Sequence, residues 1–251
     1  MRILVTFAVD AEFAPWRKLR EFQKISRNDM ECFSANVDGA EINVLLTGIG
    51  GKKAWVEATK VIWDCNVDFC ISSGLAGGLR PQHLAGEILV PGEILDSVSR
   101  SVACDEQLIQ LAVQSSAKRV DAFYTGSDVV GHAADKKQLG LIADAVEMES
   151  LEVLEEATGF GARVVAVRGI SDTVEENLPL DFNRVTTRDG DVSMRKVFGQ
   201  IAQHPWSIPS LLRFGNQSRM AAEKLAGFLD RYVVSIVENA KRESAAGVKV
   251  G

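Results

Sequence analysis

The sequence predicts an α/β fold on a mixed, largely parallel sheet, and three observations carry that expectation. Arg2–Val9, Phe69–Ser73 and Ala162–Ile170 are β-branched or aliphatic runs with no room for polar alternation, the pattern of central strands covered on both faces. Stretches with apolar residues at helical spacing separate them. The runs break at glycines or acids, in Asp10-Ala11-Glu12, Gly48–Gly51, Gly74–Gly78 and Ser171-Asp172, where a chain of this class turns and binds ligands. The length of 251 residues suits a single domain over 1–251.

The elements follow in order. Phe13, Trp16, Leu19 and Phe22 recur every third residue and predict a helix from about Ala11 to Phe22. Cys32–Val37 and Glu41–Leu46 flank Asp38-Gly39, a strong hairpin signal. Ala54, Ala58, Val61 and Ile62 predict a helix after Gly48–Gly51. Glu87–Leu95 and Arg119–Thr125 read as strands, Leu108–Ala117 and Ala134–Ala145 as helices. The tail differs. Glu175–Asp191 is polar and reads as loop, and Pro205 and Pro209 separate short helical pieces. Asn216–Asn239 reads as a long helix with Met220, Leu225, Phe228, Leu229, Tyr232 and Ile236 on its apolar side, and Ser244–Gly251 as a frayed end. Together they form a C-terminal helical extension over about 191–240.

Composition narrows the function. With 46% apolar and 25% charged residues the chain is an ordinary globular one, without long disorder. A net charge of −6 disfavours a nucleic-acid polymer as partner. No apolar stretch is long and uninterrupted enough to span a membrane, and Ile3–Val9 is too short for a signal peptide. The four cysteines (Cys32, Cys65, Cys70, Cys104) have no CxxC spacing and read as free thiols of a cytoplasmic protein. His83, His132 and His204 are scattered, so no metal site is expected.

The glycine segments fail the common nucleotide fingerprints. Gly48-x-Gly50 is followed by Lys53 where a dinucleotide site has glycine, which argues against a dehydrogenase. Gly51-Lys52-Lys53 lacks the hydroxyl of a P-loop. The acids say more. Glu12, Glu149 and Asp172 all fall at the predicted ligand edge of one sheet. Each has an ordinary alternative: Glu12 as a helix-dipole partner, Glu147 and Glu149 as surface residues at a helix start, Asp172 as an N-cap. Taken together, three carboxylates suit cleavage of an N-glycosidic bond through an oxocarbenium-like state. One activates the nucleophile, one holds sugar hydroxyls beside developing positive charge, and one passes a proton to the departing base.

Five segments in order resemble the nucleoside phosphorylase / methylthioadenosine–adenosylhomocysteine nucleosidase superfamily. They are the first strand ending in Glu12; Thr47-Gly48-Ile49-Gly50; Gly74–Leu79 followed by Gly86-Glu87-Ile88-Leu89-Val90; Val146-Glu147-Met148-Glu149; and Arg168-Gly169-Ile170-Ser171-Asp172. The resemblance implies a three-layer α/β/α domain. It implies Glu12 as the base that activates water, and Glu149 as the ligand of the ribose 2′ and 3′ hydroxyls with Met148 packing on the sugar. Asp172, preceded by Ser171, is implied as the acid at purine N7 and the exocyclic amine. Arg168 is implied near nucleophile and sugar, with Gly48, Leu75, Ala76, Gly77 and Val130 as further substrate contacts. No cofactor is implied, inorganic phosphate being a co-substrate only in a phosphorylase. The partner is a small purine nucleoside, and the assembly a homodimer or higher homo-oligomer.

Four departures from that pattern stand out. Leu75 replaces a Ser or Thr, and Val129 or Val130 stands where an aromatic usually stacks on the purine. The stretch between Leu95 and Leu108 is short, which opens the 5′ side of the substrate. The chain after Asp181 is long, and Ile208-Pro209-Ser210-Leu211-Leu212-Arg213-Phe214-Gly215-Asn216 resembles the hopanoid-associated branch, implying a large apolar 5′ substituent. Hydrolysis of a 5′-substituted adenosine is the leading expectation, since Glu12 repels phosphate. Arg168, Lys52, Lys53, Arg184 and Arg188 keep phosphorolysis open as candidate phosphate partners, and the departures keep open a non-catalytic purine-nucleoside binding module.

Overall fold

In the computed structural model, which describes residues 1–185 and 208–247, the apolar runs form the centre of a mixed sheet. β1 (Arg2–Phe7) leads into α1 (Asp10–Leu19), where Phe13 and Trp16 are buried and Leu19 is exposed. Phe22 lies beyond the helix, its ring 5.1 Å from those of Phe13 and Trp16. β2 (Gln23–Arg27), which the sequence reading missed, has no buried residue and hangs on the edge of β3 (Met30–Val37). Asp38 and Gly39, both at positive φ, turn β3 into β4 (Ala40–Leu46), as a two-residue hairpin requires. α2 (Gly51–Cys65) buries Ala54, Ala58, Val61 and Ile62 and ends on Asn66 in the left-handed region.

β5 (Phe69–Gly78) does not stop at Ser73; it continues through the glycine segment, because Arg168, Gly169, Ile170 and Asp172 pair with Gly74–Gly77. β6 (Ile88–Leu95) hairpins into the short β7 (Ser101–Ala103), also unforeseen. α3 (Glu106–Gln114) starts where the Asp105 carboxylate accepts the N–H groups of Gln107 and Leu108, both at 3.0 Å. β8 (Lys118–Thr125), α4 (Ala133–Leu139), β9 (Ala145–Glu147), α5 (Ser150–Gly159) and β10 (Arg163–Asp172) follow. The expected helix Ala134–Ala145 is thus cut short: its last residues turn at Gly140 and enter β9.

β4, β1, β5 and β10 lie side by side in parallel. β10 then pairs with β6, β6 with β8, β8 with β9, and β9 returns to Gly77 and Gly78 of β5. The sheet therefore closes into a five-stranded ring on one side and stays open on the other. A register shift between Ile170 and Asp172 leaves Ser171 as an extra residue in β10 and turns Asp172 toward the end of β5.

The region 173–183 is largely loop, with a short helix α6 (Phe182–Val185) at its end; the rest of the expected loop to Asp191 lies outside the described residues, as do Pro205 and the start of the extension near 191. α7 (Ile208–Gly247) is one helix, with Pro209 in its first turn rather than between pieces, and it runs past Ser244. It belongs to the core: Leu225, Phe228, Leu229, Tyr232 and Ile236 are buried, while Met220 stays exposed. α7 crosses β10 so closely that a Cβ on Gly169 would sit 3.1 Å from the Ala221 carbonyl oxygen. Asp230 of α7 accepts from Trp16 Nε1 at 3.2 Å and Arg20 Nε at 2.8 Å. One continuous apolar core runs from Ile3 to Val237. The four cysteines are buried and free, and among the described residues no helix is long and apolar enough to cross a membrane.

Trp16 has no solvent exposure and joins α1 to both β1 and α7. Trp16→Ala is expected to lower the unfolding free energy by about 3–5 kcal/mol in a denaturant titration. A loss under about 1 kcal/mol would show that α1 and α7 are not docked as described.

Candidate active site

The carboxyl ends of β1, β5 and β10 converge with the end of β9 on a cavity of about 240 Å³. Glu12, Leu75, Ala76, Gly77, Val130, Met148, Glu149, Ser171 and Asp172, all candidates from the sequence, line it. Two candidates do not. Gly48 is occupied in the turn below, where its N–H donates to the Ala8 carbonyl at 2.9 Å. Arg168 is almost fully buried beneath the cavity and is not among its lining residues.

Glu12 sits in the first turn of α1, half-buried. Its Oε2 accepts from the Ala8 N–H at 3.1 Å and its Oε1 from the Leu75 N–H at 2.9 Å. The contribution of Leu75 is thus its backbone, which needs no hydroxyl. Gly74 has φ +146°, and a Cβ there would lie 3.0 Å from Glu12 Oε2, so the approach of β5 to this carboxylate requires glycine. Burial pushes the Glu12 carboxyl above its ordinary range, against the pull of the Leu75 N–H and the Arg168 charge.

Glu147 and Glu149 share one tight turn and face opposite fates. Glu147 points inward, not to the surface. Its Oε2 accepts from Arg168 Nη2 at 2.6 Å and from the N–H groups of Ser150 at 2.8 Å and Glu149 at 3.1 Å, while Thr125 Oγ1 donates to Oε1. Burial opposes its charge, but Arg168 and these hydrogen bonds outweigh burial, and the carboxyl is held below its usual range. Glu149 is left with one backbone donor, the Gly50 N–H at 2.8 Å, where Gly50 adopts φ +98°. Burial, and then the negative charge of Glu147, push Glu149 up to about 8.

Arg168 Nη2 also donates to Ser150 Oγ at 2.8 Å and Ser72 Oγ at 3.1 Å. Asp172 is buried at the cavity wall. Its Oδ1 accepts from Ser171 Oγ at 2.6 Å and its Oδ2 from Lys136 Nζ. The apolar side of the cavity is made by Ile49, Val129, Val130, Met148 and Leu178, with the rings of Phe182 and Phe214. Those rings lie 5.6 Å apart and supply aromatic surface that positions 129 and 130 lack. The Asn183 amide exchanges hydrogen bonds with the backbone of Val129 at 2.8 and 3.0 Å, tying the loop after β8 to α6.

A groove of about 990 Å³ adjoins the cavity, sharing Ile49, Asp128, Val129 and Met148 with it. The short segment after β6 forms part of its wall through Asp96, Ser97, Val98 and Arg100, and Lys52 and Lys53 of α2 form another part. The Arg184 side chain and Arg188 lie outside what the structure describes. Glu147, Lys136, Ser72, Ser150, Phe182 and Phe214 were not read from the sequence as site residues; Glu147 was recognisable by its place beside Glu149.

Residues 2–233 match the family model for the phosphorylase superfamily. Solved structures share the fold. Futalosine hydrolase of Helicobacter pylori superposes with a TM-score of 0.71 at 19% identity, over 93% of this chain and 97% of the other. The 5′-methylthioadenosine/S-adenosyl homocysteine nucleosidase of Campylobacter jejuni gives 0.72 at 18% identity, over 93% and 99%. The corresponding nucleosidase of Neisseria meningitidis, in complex with methylthio-immucillin-A, gives 0.72 at 19%, again over 93% and 99%.

The raised Glu149 has a consequence for stability. The folded chain holds a proton that the unfolded chain releases near pH 4.5, so this group lowers stability as pH rises from there to about 8. Glu149→Gln removes the titration. The variant is expected to gain stability relative to the parent between pH 5 and pH 8, read by denaturant unfolding at both values. A relative loss over that interval would contradict the assignment.

Proposed function

The chain belongs to the phosphorylase superfamily, and on that footing we propose that it cleaves the N-glycosidic bond of a 5′-substituted adenosine by hydrolysis, releasing adenine. The observation that carries the reading is the convergence of Glu12, Glu149 and Asp172 on one cavity, in unlike environments. Glu12, with a raised pKa and oriented by Ala8 and Leu75, is suited to take a proton from the attacking water. Glu149, beside Met148, faces the ribose hydroxyls; with its proton held up to about pH 8 it is suited to both donate to and accept from them. Asp172 faces the purine. The nucleosidases above and futalosine hydrolase give the substrate class by analogy of fold.

Hydrolysis is favoured over phosphorolysis by charge. Glu12, Asp128, Glu147, Glu149 and Asp172 line the cavity, and among the described residues no lysine or arginine does. Arg168, a candidate phosphate partner, is engaged by Glu147 and two serines instead. The adjoining groove, walled by the short segment after β6, leaves room for a large 5′ substituent. The same reading carries a homo-oligomer and a cytoplasmic location. Trp55, Trp63 and Phe160 leave an exposed apolar face for a second copy, and the four buried thiols fit a reducing compartment.

Two outcomes test this. The protein is incubated with adenosine, methylthioadenosine, adenosylhomocysteine and inosine, with and without phosphate; adenine is expected from the adenosine derivatives at rates that do not depend on phosphate. Strict phosphate dependence with ribose 1-phosphate as product would replace hydrolysis by phosphorolysis, and tight binding without turnover would leave a binding module. Glu12→Gln is expected to lower kcat by about 10²–10⁴-fold while a non-cleavable adenosine analogue binds within a few-fold of the parent, by calorimetry. Lost binding instead would make Glu12 a ligand contact.

A further inference from the structure

Lys136 lies on α4, a helix with no part in the reading above, and has no solvent exposure. Lysine is rarely buried so completely unless it is paired. Its Nζ donates to Asp172 Oδ2, to the Thr173 carbonyl at 3.1 Å and to the Glu176 carbonyl at 2.8 Å. Three acceptors match the three N–H bonds of an ammonium. Asp172 Oδ1 is filled from the other side by Ser171 Oγ at 2.6 Å. An aspartate held this way is a carboxylate that accepts hydrogen bonds and has no proton of its own to give.

The surroundings offer no rival. The Glu176 carboxylate accepts from the Thr173 N–H at 2.9 Å, from Thr173 Oγ1 and from Gln217 of α7, and lies 3.3 Å from Arg213. Glu175 pairs with Lys137, and His132 and Asp135 at the start of α4 are exposed. Among the described residues, no second charged side chain bonds to Lys136 Nζ.

The proposed cleavage, on which this inference rests, needs a proton at the base. When the C1′–N9 bond breaks, the bonding pair stays with the purine, which leaves as neutral adenine only if N7 gains a proton. We propose that Lys136 supplies that proton through Asp172. The Nζ–H bond breaks as an O–H bond forms on Asp172, and that O–H bond breaks as N7–H forms. Asp172 ends as the carboxylate it was, and Lys136 ends as a neutral amine. Water gives hydroxide to C1′ and its proton to Glu12. Solvent returns a proton to Lys136 and takes one from Glu12 after the products leave, so the cycle closes. Lys136 does not touch the substrate; it is a positioning and proton-supplying residue that acts through Asp172.

The test compares two leaving groups. Lys136→Met and Lys136→Gln are assayed on the nucleoside that the parent protein cleaves, and on p-nitrophenyl riboside, whose phenolate departs without a proton. Circular dichroism and thermal melting select whichever variant keeps the fold. At pH 8, kcat on the nucleoside is expected to fall about 10²-fold. On p-nitrophenyl riboside at the same pH, kcat is expected to change less than about 3-fold. Equal losses on both substrates would overturn the proposal and make Lys136 a wall-holding residue. An unchanged nucleoside rate at pH 8 would overturn it as well. A parent protein inert toward every nucleoside would overturn the cleavage reading and this one with it, an outcome separable from the first two.

Discussion

The site depends on one buried ion pair, Arg168 with Glu147. Both side chains are withdrawn from water, and each is surrounded by further hydrogen bonds: Ser72 and Ser150 on the arginine, Thr125 and the N–H groups of Glu149 and Ser150 on the glutamate. These bonds, which on the arginine converge on Arg168 Nη2 and leave its buried Nε without a partner, offset part of the cost of desolvating two charges, and removing one partner of such a pair costs about 3–5 kcal/mol. The pair joins β10 to β9 and α5, and Ser72 and Thr125 extend it to β5 and β8. It also divides labour among the acids. Glu147 takes the arginine and stays ionised; Glu149, two residues on, is buried and then left beside that negative charge, and holds its proton. With its guanidinium engaged by Glu147, Arg168 leaves the cavity lining to acids and apolar groups.

Around that pair the backbone makes room by omitting side chains. Gly74 lets β5 come within reach of Glu12, Gly50 aims its N–H at Glu149, and Gly169 lets α7 cross β10. The extra residue at Ser171 turns Asp172 into the wall. Closure of β5, β10, β6, β8 and β9 into a ring holds these turns in fixed relation, so the carboxylates are carried by strand ends rather than by free loops.

Much of this was legible in the sequence. Unbroken apolar runs mark β1, β5 and β10 because strands covered on both faces tolerate no alternation. Asp38-Gly39 marks its hairpin because both positions need positive φ. Glu12, Glu149 and Asp172 were legible because they interrupt apolar runs at strand ends. The remainder depends on contacts between distant residues. β2 and β7 lack a buried face of their own, and β9 is set by pairing with Gly77 and Gly78, so none has a local pattern. Arg168 was placed at the substrate because the downward turn of its side chain is decided by Ser72 and Ser150. Lys136 stands in an ordinary surface-like helix sequence, and only the fold of 173–176 over it makes it a core residue.

Arg168 keeps the buried Glu147 ionised, while Glu149, buried beside that charge without a cation of its own, keeps its proton. Carbon-13 NMR of glutamate side-chain carboxyls, titrated from pH 3 to pH 9 in the intact protein and assigned with Glu147→Gln and Glu149→Gln, observes this directly. The Glu147 signal is expected to remain that of a carboxylate below the ordinary glutamate range, while the Glu149 signal moves only toward about 8. Two signals that titrate together near the ordinary value of about 4.3 would contradict it.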